Sequence, residues 1–371
     1  MGKKFNEHTM AVFSAMNTDY DLMNNLMQDV ALGREIYDAE TDRVISKAEA
    51  NATILDFSRQ ILGITDIKDT KAVRRAMRDN AREWFDIIED TVDKVIEVGF
   101  KENDWFTELV DYKSIGFGDR QDFVIEDADA ILSVAKAGTS HNDHILQRLR
   151  AGQTISIPTD LYVVKVGADI NRYILGDVDW AKLVNAIAIA FTTEIQNQIY
   201  AEIGTVATSL PSRFKGTGNL IKADLDSIIQ DVAAWNSSDV VIMGTKAALS
   251  KISAIADVQW AAVDQKNSVM NTGNIGIYDG TRLVQVPTRF KSRTLGATSQ
   301  PTDFVFPTNE LYILPVIGDA GKFIKMIDEG DTQIIEKLER GDYTSDLQTY
   351  QVSRRFGVGS VLGRYFGQWT L

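Results

Sequence analysis

The 371-residue chain contains no cysteine. Disulfides, thiolate metal sites and cysteine nucleophiles are therefore excluded, which is consistent with a reducing cytoplasm. Histidine is scarce too, at three residues. An excess of positive charge is missing: 52 acidic residues face 39 basic ones, a net charge of −13. Broad non-specific adhesion to nucleic acid needs a positive surface, so only a local basic patch is left open. No apolar run approaches the ~18 residues of a membrane span, and the start, Met-Gly-Lys-Lys-Phe-Asn-Glu-His, lacks the apolar core of a signal peptide. There is no G-x-x-x-x-G-K-[ST] phosphate loop and no nucleophile elbow. Gly357-Val-Gly359-Ser-Val-Leu-Gly363 misses the dinucleotide spacing by one residue, and no helix and second strand can follow before Leu371. Its glycines read instead as strand positions where another backbone approaches closely. Carboxylates abound, but none forms an isolated, apolar-embedded pair of the kind that does acid–base work. Elimination favours a structural or binding protein over an enzyme.

What is present is an ordinary soluble composition, 44% hydrophobic and 25% charged, on a chain long enough for two or three domains or one elaborate one. The stretch Asp177–Gly204 organises the rest. Trp180, Leu183, Val184, Ile187, Phe191, Ile195, Ile199 and Ile203 recur in steps of three and four, one stripe of a helix. Asp179, or Asp177 before it, is placed to cap the start, and Gly204 to end it. At about 1.5 Å per residue such a helix is roughly 40 Å long. Its second half is polar at Gln196, Asn197, Gln198 and Glu202, so it is buried along one side only.

Residues 7–99 read as helical. Val12, Phe13, Met16, Met23, Leu26, Met27 and Val30 form a first stripe, closed by Gly33. Ser46 with Glu49 is a capping box that opens a helix ending at Gly63. Val73, Met77, Ala81, Trp84, Ile88, Val92 and Val95 approach a seven-residue repeat before Gly99, and a partner helix or sheet must cover that face. The other face carries Arg74, Arg75, Arg78 and Arg82, then Asp86, Glu89, Asp90 and Asp93. The arginines suit phosphates or an acidic neighbour; the alternative is a solvated face with pairs such as Arg82–Asp86.

From residue 105 the character changes. Phe123–Ile125 and Ala130–Val134 look like strand pieces, followed by a polar tip, Gly138–His144, and a return through Thr154–Pro158 and Leu161–Val166. The pattern is a long hairpin, which is poorly stabilised alone and points to support from a neighbouring subunit. His141, Asp143 and His144 at the tip could converge on a metal, but spacing places no fourth ligand, and a solvated polar tip is the simpler reading. After the central helix come a short amphipathic helix through Leu225 and Val232, a buried strand Asp239–Met243, a helix capped by Thr245, and a hairpin turn at Asp279-Gly280.

This order of elements resembles the major capsid protein of tailed bacteriophages, the Hong Kong 97-like fold. The resemblance rests on the long helix at 177–204, the hairpin before it, Asp239-Val-Val-Ile-Met243 with the following Gly-Thr-Lys-Ala-Ala-Leu249, the turn Tyr278-Asp-Gly280, Leu311–Pro315 and Val358–Trp369. It covers about residues 100–371. It implies an α+β fold divided into a helical N-terminal arm (1–117), an extended loop (118–174), a peripheral domain (175–221) with spine helix 179–203, an axial domain (222–333), and a return to the peripheral domain (334–371). The implied function is structural and not enzymatic. Copies of the chain would form hexamers and pentamers of an icosahedral head enclosing double-stranded DNA.

The implied partners are further copies of itself, portal, scaffold and decoration proteins, and DNA held by weak non-specific contact, with no membrane and no cofactor. The implied location is the virion capsid, assembled in the host bacterial cytoplasm. Arg74, Arg75, Arg78, Arg82, Trp84, Ile88, His141 and His144 are the residues expected to touch neighbouring subunits. Family members often carry a removable N-terminal scaffolding segment, where this chain has helices that read as a permanent arm. Some members cross-link through lysine; Lys113 and Lys136 flank the loop, but nothing identifies a matching asparagine. The competing readings are an encapsulin-like nanocompartment shell, another virion component such as a tail protein, and a metal-dependent hydrolase using the histidine tip.

Overall fold

In the computed structural model the described residues are 7–16, 18–37, 44–101, 103–125, 153–166, 172, 174–177, 179–255, 276–291, 303–337, 349–361 and 363–371. Two compact units are interleaved along the chain. The first comprises Met1–Glu102, Asp160–Thr192 and Glu329–Phe356; the second comprises Asn103–Thr159, Thr193–Asp328 and Gly357–Leu371.

The elements follow from capping and periodicity. Helices α1 (Glu7–Ala15) and α2 (Tyr20–Leu32) precede a two-residue strand pair, β1 (Ile36–Tyr37) and β2 (Val44–Ile45). Asp19 caps α2 by accepting from Leu22 N–H at 2.8 Å, and Gly33 ends it in the left-handed conformation. Helix α3 (Lys47–Leu62) opens with the Ser46/Glu49 capping box and closes at left-handed Gly63. Helix α4 (Thr70–Lys101) starts where the Asp69 carboxylate accepts from Lys71 and Ala72 N–H. It does not stop at Gly99: the chain stays helical there, and a side chain at that position would meet nothing within 4 Å.

Then come α5 (Asp104–Leu109), β3 (Val110–Ile115), β4 (Asp122–Ile125), β5 (Gln153–Ser156) and β6 (Asp160–Val166). The long helix, α6 (Trp180–Thr208), likewise passes through Gly204, and its register is kept by burial of Val206 and Ala207 beyond it. A glycine costs a helix interior only about 1 kcal/mol, which apolar burial on the next turn offsets. Asp179 precedes the first turn, its carbonyl accepting from Leu183 N–H, while its carboxylate pairs with Lys182 at 3.3 Å.

The remainder is β7 (Lys215–Thr217), α7 (Lys222–Asn236), β8 (Val240–Thr245), α8 (Lys246–Ile255), β9 (Ile277–Tyr278), β10 (Thr281–Val286), β11 (Glu310–Pro315), β12 (Ile324–Lys337), β13 (Thr349–Ser360) and β14 (Gly367–Thr370). Asp279 and Gly280, both at positive φ, make the two-residue turn between β9 and β10.

In the second unit a six-stranded sheet runs β7-β14-β11-β8-β10-β9. β8 is buried along its length, parallel to β10 and antiparallel to β11. Leu225, Ile228 and Val232 of α7 and Leu249 and Ile252 of α8 share one core cluster with Ile242, Leu311, Ile313 and Trp369. The resemblance placed a terminal peripheral strand at Val358–Trp369, and its end forms β14 of this sheet. β14 lies between β7 and β11, and the Trp369 indole N–H donates to Gly218 O at 3.0 Å. Gly216 is required beneath it: a Cβ there would come 2.1 Å from the Trp369 ring.

A second sheet has the order β3-β12-β13-β6, and β12 and β13 contribute residues to both units. β6 pairs antiparallel with β13 from Tyr350↔Val166 to Phe356↔Asp160. Leu161–Val166 is thus not the return strand of the hairpin, which ends at β5. Tyr162 stacks on Phe356 at 4.1 Å between centroids. The strand glycines behave as their sequence suggested, since a Cβ on Gly357 would meet Pro158 O at 2.2 Å.

Candidate assembly surfaces

Among the described residues the hairpin stem consists of β4 and β5, paired antiparallel from Asp122↔Ser156 to Ile125↔Gln153. Its base is anchored from below. Phe123 is buried, and Lys325 Nζ lies 5.5 Å from its ring centroid. That lysine is itself 2% exposed, held by Asp111 Oδ2 at 2.9 Å and Asp319 O at 2.8 Å. A buried ammonium is tolerated only with such partners. Arg120 crosses the stem to Asp122 and Ser156, each at 3.0 Å. Beyond the anchor the stem opens to solvent: Val124 is 61% exposed and Ile155 37%. Lys113 sits 3.6 Å from Asp111 Oδ1 with its side chain half exposed. The tip with Lys136, His141, Asp143 and His144 lies outside the described residues.

Helix α4 presents the second surface. Arg75 and Arg82 are exposed, and neither forms an ion pair among the described residues; the Arg82–Asp86 pair does not form. The side chains of Arg74 and Arg78 lie outside the described residues. Trp84 and Ile88, expected at a subunit contact, are buried at 0% and 1% exposure, in a helix packed against α2 and α3. From Ala81 to Val95 the heptad-like stripe is therefore covered from within the chain.

The acidic half of α4 is not a solvated face either. Asp93 accepts from Thr332 N–H at 3.1 Å and from Thr332 Oγ1, and it pairs with the Arg354 guanidinium, whose side chain is 4% exposed. Glu89 accepts from Ile334 N–H, and Asp90 from the Tyr20 hydroxyl. One signal of this is present in the residue order: Phe85, Ile87, Ile96 and Phe100 lie off the heptad stripe, and all four are buried.

A third cluster lies in the second unit. Tyr200 donates to Glu310 at 3.2 Å, and Tyr312 donates to the same carboxylate. Burial first, then the Glu310 charge, pushes both phenols above the ordinary tyrosine range. Two neutral phenols on one carboxylate form a clasp between α6 and β11. Burial likewise pushes Tyr278, which donates to Asp226 at 2.9 Å, above its usual range. Among the described residues no group of three or more His, Asp or Glu side chains could hold a metal ion.

Comparison with known proteins assigns the class. The family model described as "SPbeta prophage-derived putative capsid protein YonB" matches residues 22–370. The chain belongs to this family of prophage-derived capsid proteins. No curated protein matches it. Solved structures similar to the chain include a virus-like particle from Pyrococcus furiosus, at 12% identity and TM-score 0.41, covering 77% of this chain and 99% of that one. The capsid of cyanophage P-SCSP1u is similar at 14% identity and TM-score 0.42, with coverage of 71% and 87%. The holo-SrpI encapsulin complex from Synechococcus elongatus PCC 7942 is similar at 12% identity and TM-score 0.40, with coverage of 72% and 86%.

Proposed function

We propose that the chain is the major capsid subunit of a tailed bacteriophage, self-assembling into hexamers and pentamers of an icosahedral head with a Hong Kong 97-like fold. The family match over residues 22–370 carries this reading. The hairpin stem supports it: two strands with exposed Val124 and Ile155 are marginal alone and gain from lying on a second copy. Closed shells repeat such modest contacts in symmetric array, so no single contact needs to be strong. On this reading the partners are further copies, portal, scaffold and decoration proteins, and packaged double-stranded DNA. Assembly takes place in the host cytoplasm. The net charge of −13 suits a wall against which DNA packs without being gripped.

The basic run Arg74, Arg75, Arg78 and Arg82 is proposed to meet acidic patches on a neighbouring subunit, and the hairpin tip with His141 and His144 to reach another. Charge reversal of Arg75 and Arg82 should then reduce assembly. Intact assembly with altered DNA retention would assign the run to DNA instead. The test of the function is electron microscopy of the chain expressed alone and with its neighbouring genes. Polyhedral shells or hexamer and pentamer rings support it; a monomer or dimer in both preparations overturns it. An encapsulin-like shell would form cages that hold protein cargo and no DNA.

A further inference from the structure

Residues 7–101 are tied to the rest of the first unit by groups that are costly to expose. The Trp180 indole, fully buried, donates to Met27 O at 3.1 Å, and Asn185 donates to Ala31 O at 3.0 Å. Arg59 places Nε and Nη2 on Ile174 O, at 3.0 and 2.8 Å. Across the sheet, Asp93 takes the Arg354 guanidinium and both the N–H and hydroxyl of Thr332, while Glu89 takes Ile334 N–H. α2 and α3 thus fasten the segment 174–185, and α4 fastens β12 and β13.

Removing these helices would strip the Arg354 guanidinium of the Asp93 carboxylate and expose a core residue, Trp180, to water. A buried charge stripped of its partner is among the costliest defects a fold can carry. We infer that the N-terminal helices are a permanent clamp on α6 and the β12–β13 pair, retained in the assembled particle, so that residues 7–101 do not serve as a scaffold removed during maturation. The inference rests on the capsid reading only for the assembled particle; the clamp itself belongs to the single chain.

Two measurements test it. Limited proteolysis of the unassembled full-length chain should give no stable product starting beyond residue 101, because cutting off the helices unfolds the first unit. A soluble, cooperatively melting product that starts there would overturn the clamp. In particles produced with the neighbouring genes, intact-mass analysis should find subunits that retain residues 7–101. Particles built of subunits lacking them would overturn the inference and leave the capsid reading standing. A protease-resistant full chain that forms no particles would do the reverse.

Substitution adds a readout that a loosely docked arm would not move. Arg354→Met and Asp93→Asn should each lower the melting temperature, on the order of 5–10 °C, and speed cleavage within residues 7–101. The double variant should lose less than the two shifts added together. Additive shifts with unchanged cleavage would sink the proposal.

Discussion

Arg75 and Arg82 lie on the same face of α4 as Glu89 and Asp93, because the helical repeat returns all four positions to one side. In the first half of the helix that face is open, and its arginines have no ionic partner among the described residues. In the second half it lies under β12 and β13, and its carboxylates accept from Thr332, Ile334 and Arg354. Sequence patterning treats both halves alike, since a charged residue reads as solvent-facing wherever it falls. The difference is made by what the face meets. A strand brings backbone N–H groups and a buried cation to the acids, and among the described residues nothing comparable comes to Arg75 and Arg82.

The largest test of this contrast is Asp93→Ala. It takes the carboxylate from buried Arg354, which keeps its hydrogen bond to Thr332 Oγ1, and should cost roughly 3–5 kcal/mol, somewhat less for the residual exposure of Asp93, measured by urea denaturation. Glu89→Ala removes one acceptor from a backbone N–H and should cost about 1–3 kcal/mol in the same assay. An alkaline limb provides a control in the other unit. Tyr200 and Tyr312 have raised values in the fold, so their contribution is full below the ordinary tyrosine value of 10.0 and is lost as pH climbs above it. Melting temperature should fall above that pH, and less steeply in a Tyr200→Phe/Tyr312→Phe chain.

Gly99→Ala is expected to stabilise by about 0.5–1 kcal/mol, since the position is helical and open. The smallest effect belongs to Arg75→Glu and Arg82→Glu, within about 0.5 kcal/mol for the isolated chain. Equal costs for the arginine and the aspartate variants would erase the distinction between the two halves of α4.

Much of the local structure was legible. The Ser46/Glu49 box, the left-handed glycines 33 and 63, the Asp279-Gly280 turn and the buried strand at 240–245 are each specified by short-range stereochemistry. Glycines 99 and 204 misled for the same reason: a glycine permits a helix end but does not impose one. Of the residues expected at subunit contacts, Arg75 and Arg82 are exposed, whereas Trp84 and Ile88 are buried in a helix packed against α2 and α3.

Amino-acid order by itself determined where helices and turns begin, which stripes are apolar, and that the chain holds no thiol and no apolar run long enough for a membrane-spanning helix. Tertiary structure alone decided which strand each extended segment joins: β6 with β13, away from the hairpin, and β14 between β7 and β11. It also decided which carboxylates are solvated and which close a buried network. Strand partnership and burial of polar faces depend on residues hundreds of positions apart, and no local periodicity encodes them.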